Sequence, residues 1–380
     1  VPVTLLASLA GDRFGPEALA DARQRAERAG YTLRRVDGPD DHLAAWIDAQ
    51  FPGTTWSSEA YESSAWVALR GREIAGFAAF GKPLDRHCRW LATWRNRDDL
   101  AMVGPIGIVA GDRGAGVGAP LLVATLATLR EQGYGYALFP AASGERFIAM
   151  VSHVAGARIV DSFPYEFRHR HRATILASGA GTNARNVLQR VAAGALPLDV
   201  DALIAGRADA GALLVASEHD VPALALPWER AAESRASYDT RLEAAVARTE
   251  PDLVLLLGWM HVLSTEFLTR FPQTINVHPA FLPLDPGADT VVAPDGTTIP
   301  ALRGAHALRD ALEQRVRWVG ATVHHVTPEI DRGAVLVRVP VAVGETTSEA
   351  ALRERVRPAE FTAVEAGIRR WAGPREEEVA

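Results

Sequence analysis

From Ala173 onward the chain alternates short apolar runs with amphipathic stretches, and that alternation admits few folds. Thr174–Ala177 reads as a strand, followed by a Gly-rich turn and a helix over Ala184–Ala193. Ala202–Ala205 reads as a second strand and Ala223–Leu226 as a short third, with a helical segment between them. Tyr238–Arg248 is a helix, and Leu253–Leu257 is apolar throughout, as a strand covered on both faces must be. Strand, helix, strand in repetition builds a doubly wound, mostly parallel α/β sheet. Such a sheet binds ligands outside the carboxyl ends of its strands.

This pattern fills half of a 380-residue chain, a length that predicts two domains at roughly 100–200 residues each. The first half reads as mixed α/β. Pro16–Ala29 is a surface helix ended by Gly30. Trp66–Leu69 and Ile74–Phe80 form a hairpin about Gly71-Arg72-Glu73. Ile106–Ala110 is a strand, Gly111–Gly118 a polar loop, Ala119–Gln132 a helix and Tyr136–Pro140 another strand. The strand-like Ala157–Val160 then gives way to a polar, basic stretch from Phe163 to Arg172. The expected division is therefore a domain over 1–165, a linker over 166–172 and a domain over 173–380. His169 and His171 stand at i, i+2 in that stretch without a carboxylate or thiol nearby, so a solvated linker is favoured over a metal site.

Composition narrows the function classes. Forty basic against 46 acidic residues give a net charge of −6, which is not the footprint of a nucleic-acid binder. The one cysteine, Cys88, excludes an intrachain disulfide and a cysteine-based zinc site, and fits a reducing cytoplasm. The apolar opening, Val1 to Ala10, lacks a basic flank and is too short to span a membrane. The only low-complexity piece is the acidic tail Glu376–Glu378.

Two segments carry chemistry. The first is Asp112-Arg113-Gly114-Ala115-Gly116-Val117-Gly118, between a strand and a helix. Its glycines let backbone N–H groups approach a phosphate, and the helix end adds partial positive charge. By itself the loop is equally a plain turn. Hairpin, strand, this loop, helix, strand and helix together resemble the GNAT superfamily of acyl-CoA N-acyltransferases over Ser58 to Ser162. The resemblance implies that Arg113, Gly114, Ala115, Gly116, Val117 and Gly118 hold the pyrophosphate of acetyl-CoA or another acyl-CoA. It also implies that the strand ending at Val109 pairs with the pantetheine arm. The family's last helix often carries a Tyr that protonates the leaving thiolate. Ser152 stands there instead, with His153 beside it, which leaves open a domain that only binds or scaffolds.

The second is spread along the α/β half. Ser178-Gly179-Ala180-Gly181-Thr182-Asn183 forms a second anion cradle at a helix start, without the dinucleotide-binding spacing. Trp259-Met260-His261-Val262-Leu263 follows the buried strand. Then come Asn276-Val277-His278-Pro279 and, later, Thr322-Val323-His324-His325-Val326-Thr327-Pro328-Glu329-Ile330-Asp331-Arg332-Gly333. In this order and spacing the set resembles the folate-dependent formyltransferases, the glycinamide ribonucleotide transformylases in particular, over Ala173 to Trp371. The resemblance implies transfer of the formyl group of 10-formyltetrahydrofolate to an amine, with Asn276, His278 and Asp331 catalytic. Attack by an amine creates an oxyanion that needs donors, and releases a proton that needs an acceptor. Asn276 and His278, at i, i+2 on a strand, leave the same face. Asn276 supplies a neutral N–H. His278, if protonated, supplies a charge-assisted one, with Asp331 expected to hold it charged and to relay the proton.

Carried over by position, Gly181, Thr182, Asn183 and Glu360 bind the acceptor. Met260, His261, Val262 and Leu263 bind the folate together with Val326, Thr327 and Glu329. His261 stands where the family usually has Arg. After Pro283 the chain departs from the family through an insertion, Ala288–Ile299, with a tight turn at Asp295-Gly296. Lying on the acceptor side, it leaves the acceptor open: glycinamide ribonucleotide, or an amine of a specialised pathway. Adjacent His324 and His325 point to opposite faces of a strand, against a shared metal. The expected fold class is thus α/β, a GNAT-like mixed α/β domain plus a doubly wound formyltransferase domain. The expected partners are small molecules, with no nucleic acid, no membrane and an open oligomeric state. Two other readings stay open: an acyltransferase with a folate-sensing second half, and a non-enzymatic scaffold.

Overall fold

The computed structural model describes residues 3–81, 97–162 and 170–372. Cys88, the tail Glu376–Glu378 and linker positions 166–169 lie outside the described residues. The chain forms two compact units. One holds the described residues up to Trp46 and from Trp56 to 162; the other holds Ile47–Thr55 and 170–372.

The first unit contains, in chain order, β1 (Val3–Ser8), α1 (Pro16–Arg28), β2 (Thr32–Val36), the start of α2 (Asp41–Gln50), α3 (Trp56–Tyr61), β3 (Ser64–Arg70), β4 (Glu73–Gly81), β5 (Leu100–Ile108), α4 (Gly118–Glu131), β6 (Tyr136–Ala142), α5 (Glu145–Ala155) and β7 (Arg158–Ser162). Among the described residues its sheet runs β2-β3-β4-β5-β6-β1-β7. The expected hairpin is β3–β4, antiparallel from Ser64↔Phe80 to Arg70↔Glu73. The expected strand Ile106–Ala110 is the end of a longer one: β5 starts at Leu100 and stops at Ile108. The apolar opening is itself a strand, β1, paired antiparallel with β6 on one side and β7 on the other. β5 and β6 run parallel but pair only over Leu100–Met102 and Tyr136–Leu138. Beyond Met102, β5 has no further pairing with β6 among the described residues.

The second unit contains β8 (His171–Ala177), α6 (Thr182–Ala192), β9 (Leu198–Ala205), α7 (Gly211–Glu218), β10 (Ala223–Ala225), α8 (Arg235–Ala247), β11 (Leu253–Leu256), α9 (Thr265–Arg270), β12 (Thr274–His278), β13 (Thr290–Val292), β14 (Thr298–Pro300), α10 (Ala307–Glu313), β15 (Trp318–His325), β16 (Val335–Ala342) and α11 (Glu349–Ala372). The sheet order is β10-β9-β8-β11-β12-β15-β16, parallel through β12 and antiparallel for the last two pairings. β8 begins at His171, a buried residue, so the last positions assigned to the linker are strand instead. Apolar burial outweighs the local polar pattern there: the His171 ring meets the edge of Trp371 at 4.9 Å.

Both faces of this sheet are covered. Ile175, Leu253, Leu255, Ile275 and Val323 pack with α6, α7 and α11. Leu176, Ile204, Val254 and Leu256 face Tyr238, Leu242 and Phe267 of α8 and α9. Both of those helices start on a serine cap: Ser234 Oγ accepts from the Ser237 N–H and Ser264 Oγ from the Phe267 N–H, each at 3.1 Å. The chain leaves β8 toward β9 on one side and returns as β11 on the other. The crevice at their carboxyl ends is therefore the switch point where a doubly wound sheet binds ligands. The insertion after Pro283 is an antiparallel ribbon, β13–β14, closed at Asp295-Gly296 by Ala293 N–H donating to the Thr297 carbonyl at 2.8 Å.

Candidate active site

Register assembles the centre of the site. β12 pairs with β15 so that Asn276 lies opposite His324 and His278 opposite Thr322. Asp331 arrives from the turn between β15 and β16, with φ of +52°, a left-handed backbone that Asp tolerates better than most residues. Two residues on, Gly333 is obligatory: a Cβ there would lie 1.6 Å from the His325 carbonyl oxygen. Tight packing of this turn against β15 aims the Asp331 carboxylate at β12.

Asp331 Oδ2 accepts the Gly304 N–H at 2.7 Å and lies 3.4 Å from His278 Nδ1. Its Oδ1 lies 3.4 Å from His324 Nε2 and 3.5 Å from Asn276 Nδ2. Burial works to raise this carboxyl. The neighbouring His324 and His278 rings and the Gly304 N–H outweigh it, holding Asp331 well below the usual carboxylate range.

His278 faces the same carboxylate. Its ring is buried, and burial outweighs the pull of Asp331, so its pKa falls below the ordinary 6.5. Nε2 lies 2.7 Å from the Leu302 carbonyl. A carbonyl only accepts, so Nε2 carries a proton, and Nδ1 faces the carboxylate.

His324, which the sequence reading left out of the site, completes it. Its Nδ1 donates to the His325 carbonyl at 2.8 Å, leaving Nε2 to accept from Asn276 Nδ2 at 3.2 Å. Thr322 Oγ1 donates to the Ala280 carbonyl at 2.7 Å and accepts the Leu282 N–H at 3.1 Å, fixing the loop that leaves His278. The segment that follows the insertion contributes directly, through Leu302 and Gly304 just beyond β14. Arg303 donates to the Asp331 and Ala288 carbonyls at 3.2 and 2.7 Å. Arg332 reaches Asp289 at 2.5 Å, tying the insertion to the Asp331 turn. The i, i+2 pair Thr322 and His324, matching Asn276 and His278 across the ladder, is the sequence signal that would have found His324.

At the crevice, Gly181 caps α6 with φ of +79°, and a Cβ there would lie 2.7 Å from Ala212 Cα. Thr182 opens the helix half-buried, and Asn183 is buried with its Oδ1 unpartnered. Burial raises the pKa of Glu360, against a hydrogen bond from Asn183. Asn183 and Glu360, far apart in sequence, are thus neighbours.

On the other flank, Met260, Val262 and Ile330 are exposed apolar side chains, whereas Leu263 is buried. Leu263 and half-buried Val326 pack in one cluster, and Thr327 Oγ1 donates to the Glu329 carbonyl at 3.1 Å. His261 turns inward, its ring centroid 5.3 Å from Trp259 and 5.5 Å from Tyr238. Burial and then Arg235 lower its pKa.

In the first unit, Val109 N–H donates to the Ala75 carbonyl at 3.0 Å. The exposed loop Arg113–Gly116 follows, with φ of +83° at Gly114 and +86° at Gly116. Val117 is buried, and α4 starts at Gly118. Arg113 Nε donates back to the Ile108 carbonyl at 3.1 Å. Buried Asp112 accepts from Tyr31 Oη at 2.7 Å and pairs with Arg70, an anchor the sequence reading did not identify. Ser152 is half-buried and His153 exposed on α5.

Fold and site define a doubly wound α/β protein with an Asn–His–Asp centre beside its switch-point crevice. Residues 171–294 and 296–366 match the formyl transferase family, and the chain belongs to it. Phosphoribosylglycinamide formyltransferase of Mycobacterium tuberculosis is 36% identical over 192 residues, covering 50% of this chain and 79% of the relative. Formyltetrahydrofolate deformylase of Escherichia coli is 30% identical over 186 residues, covering 48% and 59%. Among solved structures, glycinamide ribonucleotide transformylase 1 from Symbiobacterium toebii is similar at 31% identity and a TM-score of 0.47, covering 56% of this chain and 90% of that one.

Proposed function

We propose that the second unit transfers the formyl group of 10-formyltetrahydrofolate to the amine of a small molecule. The observation that carries this is the cluster in which Asp331 lies 3.4 Å from both His278 and His324, and Asn276 lies 3.2 Å from His324 and 3.5 Å from Asp331. The exposed apolar side chains Met260, Val262 and Ile330 fit a flat heterocycle, and with His261, Leu263, Val326, Thr327 and Glu329 they would hold the folate. When bound, it supplies an activated formyl carbon. Asn276 has one N–H engaged by His324 and a second held only loosely toward Asp331, free to turn to a developing negative oxygen. His278, its pKa lowered by burial, accepts the amine's proton at Nδ1, where the Asp331 charge stabilises the resulting cation.

Gly181, Thr182, Asn183 and Glu360 bind the acceptor in this reading. The unpartnered, buried Asn183 Oδ1 asks for a donor, and the α6 terminus suits an anion. The β13–β14 insertion favours an amine of a specialised pathway over glycinamide ribonucleotide. The first unit binds acetyl-CoA or a related acyl-CoA through Val109 and Arg113, Gly114, Ala115, Gly116, Val117 and Gly118. Support comes from the glycine conformations of the loop and the short pairing of β5 with β6. Incubation with 10-formyltetrahydrofolate and a panel of amines, glycinamide ribonucleotide included, tests the central reading. Tetrahydrofolate released only with an amine supports it; release with water alone, as the deformylase relative's name describes, counts against it.

A further inference from the structure

Arg338 is an unusual residue for the middle of a sheet. It lies on β16 with 1% of its surface exposed, opposite Thr322 in the β15–β16 ladder. Thr322 is in turn opposite His278, so the guanidinium stands two strands away from the His278 ring. A buried charge needs a partner, and it comes from distant sequence: Asp48, 2% exposed in the segment Ile47–Thr55 of the second unit, accepts from Arg338 Nε at 2.7 Å.

Nη2 is buried without a hydrogen-bond partner among the described residues, while the rest of the guanidinium holds the loop that follows His278. Nη1 donates to the Leu282 carbonyl at 2.9 Å, and Cζ sits 4.4 Å above the Phe281 ring. The same loop is gripped by Thr322 at Ala280 and Leu282. Its four residues after His278 are therefore fixed by two adjacent positions of neighbouring strands. The ring itself depends on its Nε2 bond to Leu302 and its 3.4 Å approach to Asp331. A shift of the loop moves both.

We propose that Asp48 and Arg338 are positioning residues for formyl transfer: the buried pair sets the loop 279–282 and through it the aim of His278 Nδ1. The proposal rests on the formyl-transfer reading above. It also makes a segment encoded before residue 56 part of the transfer unit's working structure.

The test uses the full chain and three variants. Arg338→Met removes the bond to Leu282 and leaves Asp48 buried. The double variant Asp48→Leu with Arg338→Met replaces the pair by apolar side chains, an exchange that buried ion pairs generally tolerate. Arg338→Lys keeps the charge. A misplaced catalytic group costs roughly ten- to a hundredfold, so the double variant should remain folded, keep its KM for 10-formyltetrahydrofolate within about twofold and lose about tenfold or more in kcat. Lys should recover part of the loss. Ring 15N shifts of His278 should move in the double variant and return toward wild type in Arg338→Lys. This readout stands even if the wild type transfers no formyl group, which would refute the reading of function but not the positioning role. Wild-type kcat and unchanged His278 signals in a folded double variant would overturn the proposal, as would equal losses of kcat in the Lys and Met variants.

Discussion

Replacing Asp331 by Asn removes one negative charge and almost no volume. The fold should accept it: the Asn oxygen can keep the Gly304 N–H bond, now 2.7 Å, and the new NH2 can donate to His324 Nε2, now 3.4 Å away. Catalysis should not survive. Asp331 is 3.4 Å from His278 Nδ1, and two unit charges at that separation interact by about 5 kcal/mol at an effective dielectric of about 20. If about half of that acts when the proton is partly transferred, the barrier rises by about 2.5 kcal/mol, or roughly a hundredfold in kcat. Single-turnover tetrahydrofolate release measures this, and a thermal melt on the same sample separates it from unfolding. A midpoint within about 3 °C of wild type with the hundredfold loss is expected, given that about 1 kcal/mol moves a domain of this size by a few degrees. Turnover within threefold of wild type, or a loss matched by unfolding, would refute the reasoning.

Other expectations follow from the same geometry. His278 has a lowered pKa in the fold, so below its ordinary value of 6.5 the unfolded chain binds the extra proton and stability falls with pH; His278→Gln should flatten that slope by up to about 1.4 kcal/mol per pH unit in urea titrations between pH 6.5 and 5. Gly333→Ala drives a Cβ to 1.6 Å from the His325 carbonyl and should cost about 3 kcal/mol or more in denaturant unfolding. Replacing Thr182 and Asn183 together by Ala should raise the KM for the acceptor at least about tenfold while leaving that for folate near wild type, and sulfate should compete with the acceptor if it is phosphorylated. Calorimetry of the full chain should show acetyl-CoA binding that Gly116→Glu abolishes, because the positive φ at Gly116 and the added carboxylate both disfavour the loop's occupied form.

The alternation of strands and helices after residue 170 was legible because each element is covered on a face its own periodicity declares. Asn276 and His278 were legible for the same reason, sharing one face of one strand. Pairing across strands was not. His324 joins the site through the β12–β15 register, and the Nε2 proton of His278 is held by the Leu302 carbonyl, just beyond the insertion. β1 reads as a loose apolar opening because its partners, β6 and β7, lie more than a hundred residues away. Asp48 gave no signal in its own helix, since only the fold brings it to Arg338. Local pattern specifies elements, while register and long-range burial specify which side chains share a site.

The most direct test follows the formyl carbon. With 10-formyltetrahydrofolate labelled at that carbon, the full chain and a panel of small amines, NMR and mass spectrometry locate the label after turnover. Label in a formamide of one amine, absent from the Asp331→Asn reaction, is predicted. Label found only in formate, or left on the folate with every amine, would contradict an amine-directed formyl transfer at Asn276, His278 and Asp331.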